Sequence, residues 1–187
     1  THIAMKSFKL KANWPSADTE AKFLNMFCHK NIIQFHRLYK SMHSVHMLIE
    51  YFHGHTLSHY LKKSNGKLSE EDTRKIFKQL LAAIVVIHSK GVSHLDIKPD
   101  NLLVDEDLNL KIIDFAFAAH QQRPEKVRIA CGTPSYMSPE LLMKEPVLPH
   151  KADIWAIGAI AYKCISGKLP YKGKKTLTIQ VTTLRAY

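Results

Sequence analysis

"GVSHLDIKPDNLLV" (residues 91–104) places His94, Asp96, Lys98 and Asn101 between two apolar runs, in a stretch broken by Pro99. Charged groups beside a core-forming sequence are costly to desolvate. Either they lie in solvent or they converge on something charged. Taken singly, Asp96 reads as a turn or cap residue. The surrounding chain decides between the two readings.

The 187 residues suffice for one domain with a substantial core. A composition of 45% hydrophobic and 23% charged residues is that of an ordinary globular protein. The most apolar runs, "LLAAIVVI" (80–87) and "IWAIGAIAY" (154–162), are far too short to span a bilayer, so no membrane span is expected. Cys28, Cys131 and Cys164 are odd in number, widely spaced and form no CxxC pair. They point to reduced thiols in an intracellular, cytoplasmic setting, not to a disulfide framework or a thiolate metal cluster.

The net charge of +11 comes from 27 basic and 16 acidic residues, concentrated in "MKSFKLK" (5–11) and "YKCISGKLPYKGKKTL" (162–177). Such a balance permits nucleic-acid binding, but no recognition motif accompanies it, so scattered solvated lysines are the better reading and a nucleic-acid partner is not expected. "HGHTLSH" (53–59) brings His53, His55 and His59 together, yet no thiolate or carboxylate is spaced to complete a zinc site.

Working outward, "HIAMKSFKL" (2–10) alternates like a strand, and Ser16 after Pro15 can cap a helix to about Phe27. "NIIQFHRLY" (31–39) and "VHMLIEYF" (45–52) read as two strands joined by a polar turn. Ser69 with Asp72 makes a capping-box-like start for a helix ending near Gly91, with Ile76, Phe77, Leu80, Leu81, Ile84 and Ile87 as its apolar stripe. "NLLVDEDLNLKIID" (101–114) reads as a hairpin. Ser138 before Pro139 is a helix N-cap pattern, and Asp153 is the expected cap of a buried helix running toward Gly167, with Trp155 and Tyr162 in the core. A small β-rich part thus precedes a larger helical part, with a boundary near residues 50–55 and a cleft between them suited to a ligand.

In this order, "HLDIKPDN" (94–101), "DFA" (114–116) and "SPE" (138–140) closely resemble the protein-kinase signature set. "IAMK" (3–6) matches the strand that carries the family's phosphate-binding lysine, and Glu20 precedes "HKNII" (29–33) as the family's helix glutamate does. "GTPSYMSPE" (132–140) and "DIWAIGAIAYKCISGKLPY" (153–171) extend the likeness over essentially the whole chain. The implied fold is α+β and two-lobed, a small β-rich N-lobe with hinge over residues 1–53 and a mainly helical C-lobe over residues 54–187. The resemblance also implies a glycine-rich loop before Thr1 and further helices after Tyr187, including an arginine to pair with Glu140. The 187 residues are therefore expected to be part of such a domain, poorly stable and weakly active alone.

The resemblance implies transfer of the ATP γ-phosphate to Ser/Thr hydroxyls of protein substrates. Such chemistry asks for positioning of spread negative charge and little covalent work. Asp96 would orient the substrate hydroxyl and accept its proton, and Lys98 would stabilise the transferred phosphoryl. Asn101 and Asp114 would hold magnesium. Lys6, paired with Glu20, would grip the α- and β-phosphates. Ile49, Glu50 and Phe52 would line the adenine pocket and hinge, with Ala4 and Leu103 as apolar walls, and Thr133 would contact the catalytic loop on the substrate side. Lys98 two residues after Asp96, together with Thr133, resembles serine/threonine kinases, and "CGTPSYMSPELL" (131–142) is most similar to the calmodulin-dependent and energy-sensing groups.

Two departures stand out. Leu95 replaces the family's arginine before the catalytic aspartate, and no Ser, Thr or Tyr occurs between Phe115 and Gly132. The basic pocket and its phosphate acceptor are missing together, so this loop is expected to order without phosphorylation. Ala116 replaces a glycine; an alanine forced to φ > 0 would cost on the order of 1 kcal/mol, predicting a stiffer metal-binding loop. The rival readings are a pseudokinase, which acts as an interaction module without turnover, and a small-molecule kinase.

Overall fold

The computed structural model describes residues 2–122, 133–143 and 145–171, with side chains left aside at 9–16. Three antiparallel strands come first: β1 (Ile3–Lys9), β2 (Phe35–Lys40) and β3 (Ser44–Glu50), in the order β1-β3-β2. Alternation in β3 buries Val45 and Met47 beneath the sheet. Ala4 and Lys6 lie opposite Ile49 and Met47, which fixes the register of β1. The expected strand over residues 31–39 is corrected at its start: β2 begins at Phe35, and Ile32 makes only an isolated bridge to Ile112.

Helix α1 runs from Leu10 to Leu24, starting before the expected Ser16 and stopping short of Phe27. Pro15 thus lies inside the helix, where its missing N–H removes one bond of the ladder, and not at its start. At the far end Met26 and Phe27 donate three residues back, to Phe23 and Leu24, which tightens the chain out of the helix.

The helical part begins with β4 (His55–Thr56) and α2 (Leu57–Lys63), then α3 (Glu70–Ser89). Ser69 caps α3 by accepting from the Asp72 amide, as its sequence predicts. The buried stripe comprises Thr73, Ile76, Leu80, Ala83, Ile84 and Ile87. Leu81 is corrected: it sits one position round the helix from Leu80 and is exposed. After β5 (Val92–Ser93), β6 (Leu102–Val104) and β7 (Leu110–Ile112) form the expected hairpin, with β4 added at its edge, while β8 (Ala119–His120) pairs with β5.

Two helices complete the described chain: α4 (Pro139–Met143) and α5 (Pro149–Ser166), the latter ended by Gly167 at φ 74°. Ser138 precedes α4 as expected, but its buried hydroxyl makes no cap bond. Asp153 is also corrected: it lies inside α5, whose N-cap is Leu148. Tyr162 faces out, and Trp155 is half-buried and stacks on Tyr171. Among the described residues no helix is long and apolar enough to cross a membrane.

The result is an α+β, two-lobed architecture. One apolar cluster runs through both lobes, joining Phe23, Leu24 and Met47 to Ile76, Leu80 and Phe115. A polar clasp fixes one lobe on the other. The Asn31 side-chain amide donates to Gln79 Oε1 (2.9 Å) and the Leu110 carbonyl (2.7 Å), and Gln79 Nε2 donates to the Leu108 carbonyl (2.7 Å). The Asn31 Nδ2 group is paired in this way while its buried Oδ1 meets no partner among the described residues, and directional bonds of this kind fix an arrangement that apolar packing alone leaves free to slide.

Gly54 shows how tightly the connection between the lobes is made. A Cβ there would stand 2.6 Å from the Val104 carbonyl oxygen and 2.7 Å from the Phe52 ring. Gly54→Ala is therefore expected to lower unfolding stability by about 1–3 kcal/mol. Gly158→Ala in α5, with nothing within 4 Å, should raise it by up to about 1 kcal/mol. Denaturant titration of the two variants measures both.

Candidate active site

Lys6 comes to the cleft from β1, on the face it shares with Ala4. Its ammonium donates to both oxygens of Glu20 on α1, at 2.9 and 2.8 Å, and stands 3.3 Å from Asp114. Glu20 is 1% exposed. Burial pushes its carboxyl above the usual range, and the Lys6 ammonium opposes that push. The lysine is thus held between carboxylates from the two lobes, of which the sequence reading pairs it with Glu20 alone.

The second cluster is built on the loop between β5 and β6. Asp96 is buried, and Lys98 Nζ donates to its Oδ2 at 2.7 Å. Asn101 Nδ2 donates to the same oxygen (2.9 Å) and to the Asp96 carbonyl (2.8 Å). Thr133 joins from before α4: its hydroxyl accepts from Lys98 (2.9 Å) and donates to Asp96 Oδ1 (3.2 Å). The Asp96 carboxylate is therefore fixed by three side chains from two segments.

The remaining predicted residues flank the space between these clusters. Ile49 lies opposite Ala4 at the end of the sheet, and Leu103 is half-buried in β6 on the other side. Phe52 accepts from the Gly54 amide, and its own N–H meets no acceptor among the described residues. The Glu50 amide donates to the Gln34 carbonyl at 2.8 Å and is not available to a ligand. Its carboxylate turns to the far side of the sheet, toward Lys111 at 2.9 Å.

The donor chemistry in the cleft suits a hard cation. Asp114 offers a carboxylate that is about one-third exposed (36% of its side chain). Asn101 spends its amide hydrogens on Asp96, and its Oδ1 accepts no bond among the described residues. Hard oxygen donors of this kind fit magnesium. By contrast, the described His, Cys, Asp and Glu residues form no cluster of three able to hold a metal, and His55 and His59 only stack, 4.5 Å between ring centres.

Three supports were not anticipated. Asp153 is buried, and its oxygens accept from the His94 amide (2.9 Å) and the Leu95 amide (2.8 Å), with His88 Nε2 2.8 Å away. A helix-interior carboxylate that grips two loop amides leaves no mark in hydrophobic periodicity. His94 is buried and takes the Asp96 amide on Nδ1 (3.2 Å), its Nε2 reaching the Ile113 carbonyl (3.1 Å). Phe115 packs between Phe27 and His94, at 5.4 and 4.7 Å between ring centres.

Leu95 adopts φ 65°, a left-handed conformation that is costly for a branched side chain. The Asp153 bond and apolar packing hold it there: Leu95 is buried against Met137, Leu141, Leu142 and Val147. An arginine could not occupy such a pocket without desolvating its charge. The expected strain at Ala116 is corrected. The positive φ falls on Asp114 (65°), a residue type that tolerates it, and Ala116 is not among the positive-φ residues. The loop stretch 123–132 lies outside the described residues.

The family model of the protein kinase domain matches residues 1–186. Sperm motility kinase 3A of Mus musculus is 34% identical over 172 residues, 91% of this chain and 34% of its own length. CBL-interacting protein kinase 5 of Oryza sativa subsp. japonica is 39% identical over 155 residues, 81% of this chain and 33% of its own. The chain thus spans about a third of the length of the curated relatives it matches.

Removing Lys6 should strand a buried charge. Lys6→Met is expected to cost about 1–3 kcal/mol, and adding Glu20→Gln to it should restore most of that loss. The four-way comparison by denaturant unfolding measures the coupling. A second expectation concerns pH. Burial holds the His94 imidazole below its ordinary value of 6.5, so the unfolded chain binds the proton more readily. The stability contributed by neutral His94 is present above that ordinary value and falls away on acidification, by at most ~1.4 kcal/mol per pH unit for one proton. A His94→Phe variant should show a shallower slope between neutral and acidic pH.

Proposed function

This chain belongs to the protein kinase family, and from that premise we propose that the protein transfers the γ-phosphate of ATP to serine and threonine hydroxyls of protein substrates. The observation that carries the reading is Lys6 seated between Glu20 and Asp114 while Asp96 is held by Lys98, Asn101 and Thr133. The two clusters together supply the groups that a phosphoryl-transfer site would need.

In the proposed mechanism Asp96 is the group that receives the acceptor hydroxyl's proton. Its carboxylate is held in one orientation by three donors, which spares reorganisation when the hydroxyl arrives. Lys98 places a positive charge beside that carboxylate, where it can meet the negative charge of the transferred group. Lys6, kept in place by Glu20, supplies the cation for the α- and β-phosphates. Asp114 and Asn101 would hold magnesium, which when bound neutralises charge on the phosphate oxygens. Ala4 and Leu103 would enclose the adenine, with the Glu50 carbonyl and the Phe52 N–H for its edge. These placements, and the serine/threonine preference suggested by Lys98 and Thr133, are part of the proposal.

Leu95 supports a further element of this reading. Where a phosphate-seeking arginine would stand in the family, an apolar side chain packs the catalytic loop directly onto the segment around α4. Hydrophobic contact, which needs no modification, takes over the ordering.

Asp96→Asn in the full-length protein is expected to lower phosphate transfer to a Ser/Thr protein substrate by about 10²–10⁴-fold, with nucleotide affinity retained. Turnover unaffected by the substitution would remove Asp96 from the mechanism. A wild-type protein that binds ATP without any transfer would instead support the interaction-module reading. Phosphatase treatment should leave activity unchanged. A loss traced to a phosphate between Phe115 and Gly132 would overturn the part assigned to Leu95.

A further inference from the structure

On the side of the sheet turned away from Lys6 lies a cavity of about 620 Å³. Its walls come from the loop after α1, the start of β2, the end of β3 and the middle of β7, and none of the proposed catalytic or metal-holding residues lines it. Lys30 and Lys111 face it, with the imidazoles of His2, His29 and His36. Glu50 is its single carboxylate, and Lys111 is bound to it at 2.9 Å. We propose that this cavity is a docking site for a phosphorylated segment of a polypeptide, with the phosphate held by Lys30, Lys111 and His29.

Charge sets the sign of the ligand. Two ammonium groups against one carboxylate leave the walls positive before any histidine is protonated. Lys111 donates to Glu50 and to the Lys30 carbonyl (2.8 Å), which leaves one of its three hydrogens for a ligand. His29 Nδ1 accepts from the Asn31 amide at 3.2 Å, so the neutral ring carries its proton on Nε2 as a donor. Burial first, then Lys30 and Lys111, hold the His29 ring below its ordinary protonation range, so it meets a ligand as a neutral donor. Cys28, His29 and His36 carry soft-metal donor types, but the ammonium groups repel a cation, and no described trio has metal-binding spacing.

Geometry sets the chemical class. The donors diverge from separate elements, which suits the three oxygens of a phosphomonoester dianion. A planar carboxylate is best matched by an arginine fork, and no arginine lines this cavity. The volume far exceeds one phosphate group, and the rim residues His2, His36 and Tyr51 are exposed, so the cavity is an open trough that a chain can enter and leave. Buried Ile32 and the Tyr51 ring offer apolar contact to the residues beside the phosphate.

The site stands independently of the catalytic reading, and so does its test. Full-length protein saturated with a non-hydrolysable ATP analogue is titrated with a fluorescent phosphoserine heptapeptide of otherwise alanine and glycine, its unphosphorylated twin, and inorganic phosphate as competitor. The phosphopeptide is expected to bind about tenfold tighter than its twin, and Lys30→Glu, a change of an exposed side chain, should remove that difference. Kinase activity and melting temperature of Lys30→Glu should match wild type, and binding should weaken as salt rises. Equal affinity for both peptides, or a Lys30→Glu variant that keeps the preference, overturns the proposal. So does phosphopeptide binding that is seen only when the ATP analogue is left out. Inorganic phosphate binding as tightly as the phosphopeptide would overturn the assignment to a chain segment.

Discussion

One ammonium group between two carboxylates ties the two lobes of this molecule together at the cleft. Lys6 reaches Glu20 within the small lobe and Asp114 from the large one. A glutamate that is 1% exposed is unfavourable alone, so the sheet, helix α1 and the Asp114 loop are each tied to the position of one lysine. The arrangement is costly to assemble for stability's sake. It makes sense where a polyanion later takes up the lysine's remaining valence, which is why it speaks for function more than for folding.

A second buried carboxylate does comparable work without touching any substrate. Asp153 takes two consecutive loop amides and so holds Leu95 in a conformation that its own chemistry disfavours. That turn aims Asp96 into the cleft with Lys98 and Asn101 beside it. The same turn sends the Leu95 side chain the other way, into Met137, Leu141 and Leu142. The setting of Asp96 and the packing of the segment around α4 therefore share one anchor.

Much of this was legible residue by residue. Lys6, Glu20, Asp96, Lys98, Asn101, Asp114 and Thr133 were identified by their order and spacing, and the structure brings them into two contiguous clusters. The cap of α3 by Ser69 and the β6–β7 hairpin followed from local patterns, because capping and hairpin formation involve residues a few positions apart. The less accurate expectations involved partners far away. Asp153 looked like a cap because aspartate near a helix start usually is one; its true partners lie 58 and 59 residues upstream. Leu81 and Tyr162 looked like core because apolar residues flank them, yet the direction of a helix face is decided by what packs against it.

Order along the chain thus determined the family resemblance, the types of the elements and the identity of the polar residues that gather in the cleft. These depend on short-range stereochemistry and on motif spacing, both written in one dimension. Only the tertiary structure decided that the positive φ falls on Asp114 and not Ala116, that Leu95 is an apolar wedge, and that Glu50 turns its carboxylate to a basic trough behind the hinge. Each of these depends on which distant surface a side chain meets, and burial and charge pairing are properties of that meeting, not of the residue alone.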